Sequence, residues 1–321
     1  MMLNISKMVK VDKKDILVLR ALDVNPRMSY TQIGKYSKLS KETVQYRYKR
    51  LTSEGILKGF WMVPKINSGI NAYKVLLKSK GLSNESFERI KNFLLDSKVV
   101  SWMAVCNGYW NIHLTLLSSK DAEISKLLKE LFTTFSSFFV DIQFHKSVAV
   151  HAFHEKYLYD KVNSEYYYGS FLDKPIEIGE IDNKILDLIS LDARIRFTDI
   201  GTKVHLTPEA ILARFKKVKS NIGMLKPRID HSKLGLSYYH LWLRLADGKL
   251  IKDVVSYCAR DKYSVFIMEH LGKYHLHIEI VCGEKYIDNY ISDLMQKFEK
   301  DVLEYDLCKI VSELKIRVNS N

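Results

Sequence analysis

The strongest constraint in this sequence is that it repeats itself. Asp15 recurs as Asp182, 167 positions on; at the same offset Arg27 meets Arg194, Ile33 meets Ile200 and Gly34 meets Gly201. Leu39 then meets Leu206, Ser40 meets Thr207, Val44 meets Ile211 and Arg47 meets Arg214. A one-residue slip brings Gly55 onto Gly223, and later Gly69 matches Gly235, Tyr73 matches Tyr239 and Gly108 matches Gly272. Core, cap and glycine positions recur in the same order at nearly the same offset, which makes chance a poor account. The offset is far longer than the roughly 20–50-residue period of a solenoid. The 321-residue chain is therefore read as a domain duplication, each half with cores of its own.

Within the first half, residues 12–22 place Ile16, Leu19 and Leu22 at helical spacing. Asp12 and Asp15 stand near the start, where acidic groups suit a helix N-terminus. Pro26 ends this helix, because proline disfavours helical geometry in the residue before it. Ser29 caps a short helix over 30–36, and Ser40 caps a longer one over 41–54 that closes at Gly55. On the longer helix Val44, Tyr48 and Leu51 form an inward face. Lys41, Glu42, Gln45, Tyr46 and Lys49 form the other. A wing strand pair is expected over 56–63, with Lys58 at its edge, before a hinge marked by Pro64 and Gly69.

The pattern then becomes β, α, β, β, α, β over 73–78, 85–95, 99–105, 110–117, 121–135 and 139–150, with a turn at Asn107-Gly108. The second half repeats it over 238–245, 250–258, 265–271, 275–282, 287–298 and 302–314. This is the order of a ferredoxin-like split βαβ unit. Between the halves, a segment holding Tyr157, Tyr159, Tyr166, Tyr167 and Tyr168 and ending at Pro175 reads as a connector, helical at first and packed by its tyrosines.

Composition narrows the partner. A net charge of +13 and a pI near 9.3 favour a polyanion: DNA, RNA or an anionic membrane face. No apolar run approaches the roughly 18 residues of a membrane span, and 1–15 lacks the apolar core of a signal peptide. A cytoplasmic location is the expectation. Cys106, Cys258, Cys282 and Cys308 form no Cys-x-x-Cys pair and are expected as buried free thiols.

The helix over 41–54 offers lysine, glutamine, tyrosine and glutamate to base edges and phosphates of a major groove. Lys38 and Ser40 stand at its N-terminus, placed for phosphate; Arg47 and Arg50 either reach phosphate or pair within the domain. In the second copy Thr207 caps and Pro208 takes the first helical position. Ala210, Leu212 and Ala213 leave little polarity there, while Lys216, Lys217 and Lys219 keep the charge, and Arg214 joins Thr207, Lys216 and Lys217 as a DNA-contact candidate. Copy one is expected to read sequence, and copy two to hold backbone or to pack.

Two histidine groups, His270/His275/His277 and His145/His151/His154, have spacings that zinc or nickel accepts. His275 and His277 are expected on one strand face. No carboxylate or thiolate stands at a fixed spacing beside them, so no metal or other cofactor is expected. Phosphate-loop, Gly-x-Ser-x-Gly and His-Glu-x-x-His signatures are absent from the sequence, and no catalytic residue is assigned.

Asn25-Pro-Arg-Met-Ser29, Ile33-Gly34, Leu39-Ser40 and the Arg47, Leu51, Gly55-Ile-Leu-Lys58 series resemble the Lrp/AsnC (feast/famine) family of prokaryotic transcription regulators. Asp182, Ile185-Leu186, Asp192-Ala-Arg-Ile195, Leu206-Thr-Pro208 and Arg214 resemble it again. The resemblance implies an α+β fold: two copies of a winged helix-turn-helix followed by a ferredoxin-like βαββαβ (RAM-type) domain. The winged helix-turn-helices fall at 1–64 and 179–228, the α/β domains at 65–153 and 229–321, and the connector at 154–178. It implies double-stranded DNA as partner, a small-molecule effector such as an amino acid, and pairing through the α/β domains. The usual family chain carries one such pair of domains. Duplication therefore suggests a pseudo-dimer inside one chain, compatible with further homodimers or higher oligomers.

The family's Gly-x-x-Asp effector pattern corresponds here to Gly108-Tyr-Trp-Asn111 and Gly272-Lys-Tyr-His275, which makes Gly108, Asn111, Gly272 and His275 the ligand-site candidates. Neither copy keeps the carboxylate, although both glycines suit hairpin positions that need positive φ. Siroheme decarboxylases share the architecture, and the run from Trp110 to Leu116 is faintly similar to theirs. The basic Arg-x-His grouping expected before it is replaced by Ala104-Val-Cys-Asn-Gly108. That enzyme class stands as the alternative.

Overall fold

The computed structural model describes residues 8–64, 69–81, 83–162, 164–172 and 178–316. The end of the connector at Pro175 lies outside them.

Each half opens with three helices: α1 (Lys13–Val24), α2 (Tyr30–Ser37) and α3 (Lys41–Ser53), then α6 (Glu180–Leu191), α7 (Phe197–Val204) and α8 (Pro208–Val218). Side-chain caps set the starts of α1, α2, α3 and α8. Asp12 and Ser29 each form a capping box, and the Ser40 and Thr207 hydroxyls accept from the backbone N–H groups of Thr43 and Ala210. α2 and α7 both end on a left-handed residue, Lys38 and His205. The chain then passes so close that the Leu39 and Leu206 carbonyls leave room only for Gly34 and Gly201.

The expected wing hairpin does not form. Residues 57–64 make one strand, β1 (Leu57–Pro64), whose antiparallel partner is β7 (Ile222–Ile229) of the other half. The segment has no internal turn, so its backbone groups pair with the equivalent strand of the second copy. Around this ribbon the heads interlock reciprocally. Arg27 donates to the carbonyls of Ala193 and Ile195, and Arg194 donates to those of Pro26 and Met28. The Arg27 guanidinium lies over Phe197 and Phe215, and that of Arg194 over Tyr30 and Tyr48. This residue-for-residue exchange is that of a two-fold interface, here made within one chain.

The α/β units are β2 (Asn71–Ser79), α4 (Asn84–Asp96), β3 (Val100–Asn107), β4 (Ile112–Ser118), α5 (Asp121–Phe135) and β5 (Phe139–Phe153). The second set is β8 (Ser237–Leu245), α9 (Ile251–Arg260), β9 (Ser264–Leu271), β10 (Leu276–Cys282), α10 (Glu284–Lys297) and β11 (Val302–Ile316). Within each copy the strand order is that of the ferredoxin-like unit, β5-β2-β4-β3 and β11-β8-β10-β9.

The two 15-residue final strands join the copies. β5 pairs with β2 along its first half and with β9 along its second; β11 pairs with β8 and then β3. The strands close into an eight-stranded antiparallel barrel, with helices outside. Apolar side chains of one parity, such as Val75, Leu77, Leu114 and Leu116, pack under α4 and α5, and Leu241, Leu243, Ile278 and Ile280 pack under α9 and α10.

The connector is built into this body. After one short helical turn, Lys156–Leu158, comes β6 (Tyr166–Ser170), paired to β5. Lys156 is buried, and its ammonium donates to the last-turn carbonyls Cys258 and Ala259 of α9, capping that helix. All four cysteines are buried and free. Among the described residues no helix is long and apolar enough to cross a membrane.

Candidate nucleic-acid interface

On α3, Val44 and Leu51 are buried in the head's core, and Lys41, Glu42, Tyr46 and Lys49 are exposed, with Gln45 half-buried between them. Lys38 and Ser40 are exposed at the helix start. The predicted outward face is therefore open to solvent, and Tyr46 is its most exposed aromatic at 63%.

Arg47 and Arg50 lie elsewhere. Arg47 pairs with Asp12 at 2.5 Å and Asp15 at 3.2 Å, and Arg50 pairs with Asp15 at 2.9 Å. Asp15 is fully buried, so these guanidiniums supply its counter-charge and bind α3 to α1. Arg214 repeats the arrangement on Asp182 at 2.9 Å. Lys58 pairs with Asp230 at 2.8 Å across the central ribbon. The structure thus gives these four cations internal partners.

On α8, Leu212, Ala213, Lys216 and Lys217 are exposed, and Thr207 is engaged as the cap. The two helix surfaces differ as the sequence indicates: polar and aromatic on α3, aliphatic and basic on α8.

The four ligand-site candidates perform structural tasks. Asn111 Oδ1 accepts from the backbone N–H of Ser79 at 2.8 Å, and His275 Nδ1 accepts from that of Leu245 at 3.1 Å. Each pins the end of the first strand in its own copy. His275 does not share a face with His277, because β10 starts at Leu276 and His275 belongs to the turn. Gly272 has φ +148°, but Gly108 does not lie in the left-handed region. What requires glycine at 108 is close approach: a Cβ there would sit 2.9 Å from the Leu307 carbonyl oxygen of the opposite copy.

The barrel interior holds what the sequence did not bring together. His113 and His240 meet, Nδ1 to Nδ1, at 3.4 Å, although β4 and β8 are not neighbours; the contact crosses the interior. His277 stacks on Trp242 with ring centres 4.2 Å apart. Lys74 and Glu279, one from each copy, stand 4.0 Å apart. Burial pushes His113 down to about 3 and holds His240 and His277 well below the usual imidazole range, so all three rings are neutral at pH 7. His240, His277 and Glu279 bring one donor atom each to within 4.8 Å of one another. The legible signal was strand alternation, since His113 and His277 occupy equivalent places in the duplication. The meeting of opposite strands was not legible. His145 and His270 join this group, their ring centres 5.9 Å apart and His270 stacked on Trp242, whereas His151 bonds Glu269 at 2.7 Å and His154 faces Asp23 at 3.2 Å.

Two family models match the chain: winged helix-turn-helix DNA-binding at residues 11–58, and the AsnC-type helix-turn-helix domain at 179–219. An uncharacterized HTH-type transcriptional regulator of Pyrococcus furiosus is 28% identical over 134 residues, 41% of this chain and 85% of its own length. The HTH-type transcriptional regulator LrpB of Bacillus subtilis is 38% identical over 87 residues, 26% of this chain and 58% of that one. Among solved structures, the siroheme decarboxylase NirDL superposes with TM-score 0.61 over 95% of this chain and 93% of that one, at 13% identity. At that identity the likeness is one of fold. Both heads thus match helix-turn-helix families, the second of them the AsnC type, and the chain is similar to HTH-type transcriptional regulators of the Lrp/AsnC kind, with the matched head present twice.

Proposed function

We propose that the protein binds double-stranded DNA through α3 and α8 as one rigid, fused pseudo-dimer, and that α3 supplies most of the sequence readout. The observation that carries this reading is the open face of α3, where Lys41, Gln45, Tyr46 and Lys49 have solvent beside them while Arg47 and Arg50 are spent on Asp12 and Asp15. The DNA-facing set is accordingly Lys38, Ser40, Lys41, Glu42, Gln45, Tyr46 and Lys49, with Thr207, Lys216 and Lys217 from the second head. Interlocked heads favour binding as a unit, since a fixed separation lowers the ordering cost of engaging the second head. A cytoplasmic location goes with this role.

The test is fluorescence anisotropy on a duplex selected from random sequence. Affinity should fall steeply with salt as phosphates are neutralised and counterions released. Lys41→Gln/Lys49→Gln should weaken binding on all sequences and lower the salt slope by about two. Gln45→Ala should relax specificity, whereas Leu212→Ala should leave it nearly unchanged; a larger specificity loss from Leu212→Ala contradicts the division of labour. Absence of binding at low salt sinks the whole reading.

A second reading, a siroheme-decarboxylase-like enzyme, is favoured by the fold likeness over nearly the full chain together with the histidines inside the barrel. An absorption spectrum after mixing with siroheme separates the two: tetrapyrrole retention without DNA binding reverses the ranking.

A further inference from the structure

We propose that the barrel interior binds a divalent transition-metal ion of the zinc class, with His240, His277 and Glu279 as its protein ligands. Three observations converge on the point. The donor atoms of these residues lie within 4.8 Å of one another, and His240 Nε2 is 4.0 Å from Glu279 Oε1. Zinc holds N and O donors at about 2.0–2.2 Å, so tetrahedral donors stand roughly 3.3–3.6 Å apart; closing the set takes side-chain shifts of about 1 Å. His240 Nε2 and both ring nitrogens of His277 are buried without a hydrogen-bond partner among the described residues. A buried polar atom left in that state is costly, and metal coordination would remove that cost for one nitrogen of each ring.

The surroundings fit a ligand set. Tyr238 donates its hydroxyl to Glu279 Oε2, and Trp242 lies parallel to the His277 ring at 8°, fixing its plane. His113 Nδ1 sits against His240 Nδ1, on the side of the ring away from Glu279. Two imidazoles and a carboxylate suit zinc, cobalt or nickel over calcium or magnesium, which prefer oxygen alone.

Lys74 is the competing cation. Its ammonium is buried 4.0 Å from Glu279 Oε1 and 4.8 Å from the Trp102 ring centre. Metal loading and the Lys74–Glu279 pair are alternatives for one carboxylate. The Lys74→Met variant should therefore bind metal more tightly than wild type, a result that a merely adventitious surface site would not give.

The experiment uses the full chain stripped with chelator and titrated with Co²⁺ and then Zn²⁺, read by visible absorption and by metal analysis after gel filtration. The expected result is one ion per chain in a low-symmetry, four- or five-coordinate cobalt spectrum that zinc displaces. His277→Gln and Glu279→Gln should each lower affinity by more than the 10–100-fold typical of losing an outer partner, with circular dichroism unchanged. Wild type that takes up no ion, or uptake equal in His240→Ala/His277→Ala, overturns the proposal. None of these readouts involves DNA, so the outcome is independent of the regulatory reading.

Discussion

Lys226→Met should destabilise the protein by about 3–5 kcal/mol, the range for breaking a buried ion pair from one side. Lys226 lies on β7, the strand that joins the heads, and Glu155 begins the connector. Their charged atoms stand 3.0 Å apart with side chains 3% and 6% exposed. The same ammonium donates to the carbonyls of Phe153 on β5 and Val265 on β9, at 2.7 and 3.3 Å. One side chain thus ties the head ribbon, the connector and both copies of the barrel. Removing it strands a carboxylate in the interior and frees two carbonyls. Replacing both partners, as Glu155→Met/Lys226→Met, should recover most of the loss, because a buried pair exchanged for apolar groups is often near neutral.

The pH dependence has a definite sign. Burial pushes the Glu155 carboxyl up, but the Lys226 charge and the His231 ring beside it outweigh that and bring it to about 2, below its ordinary 4.5. The pair's contribution is therefore fully present above about pH 4.5 and is lost as pH falls from there toward 2. In Lys226→Met only the His231 ring still opposes burial, and the carboxyl should titrate higher than in wild type. Guanidinium unfolding from pH 2 to 7 measures both effects. A single variant that unfolds at the wild-type midpoint at pH 7 contradicts this account of the seam.

Gly272→Ala should cost about 2–5 kcal/mol, combining backbone strain of roughly 1–3 with overpacking of similar size. Its φ of +148° is one that residues with a Cβ rarely adopt. An added Cβ would also stand 2.7 Å from the His145 ring and 3.0 Å from the Phe144 carbonyl oxygen. Gly108→Ala lacks the φ penalty and should cost about 1–3 kcal/mol through its 2.9 Å approach to the Leu307 carbonyl. These turn glycines mark the two places where each copy presses on the last strand of the other. Gly248→Ala is the control: nothing lies within 4 Å of its Cβ, and its effect should stay within about 0.5 kcal/mol. Thermal melts of the three variants rank them. Equal melting points would mean that the barrel does not need close approach at its seams.

Much of this architecture was legible before any coordinates. Ser29, Ser40 and Thr207 cap the helices they were expected to cap, and the 121–135 helix has the bounds read for it. Each of these follows from interactions within a few residues along the chain. The expected wing hairpin fails for the opposite reason. Residues 56–63 have strand propensity, but propensity does not name a partner, and the partner is β7, far away in the chain. Arg47 and Arg50 had two open destinations in the sequence, and only the position of the buried Asp15 carboxylate chose between them.

The sequence by itself determined that the chain is two like halves, which residues cap and face inward in each, and that a basic helix stands outward. Those properties are written in period and offset, and they survive in any arrangement of the halves. The tertiary structure alone decided that the two sheets close into one barrel, that the heads exchange Arg27 and Arg194, and that His240, His277, Glu279, His113 and Lys74 share an interior. Closure depends on register between strands from opposite copies. That register is fixed by close approach and by burial of charge, over distances along the chain that no local pattern spans.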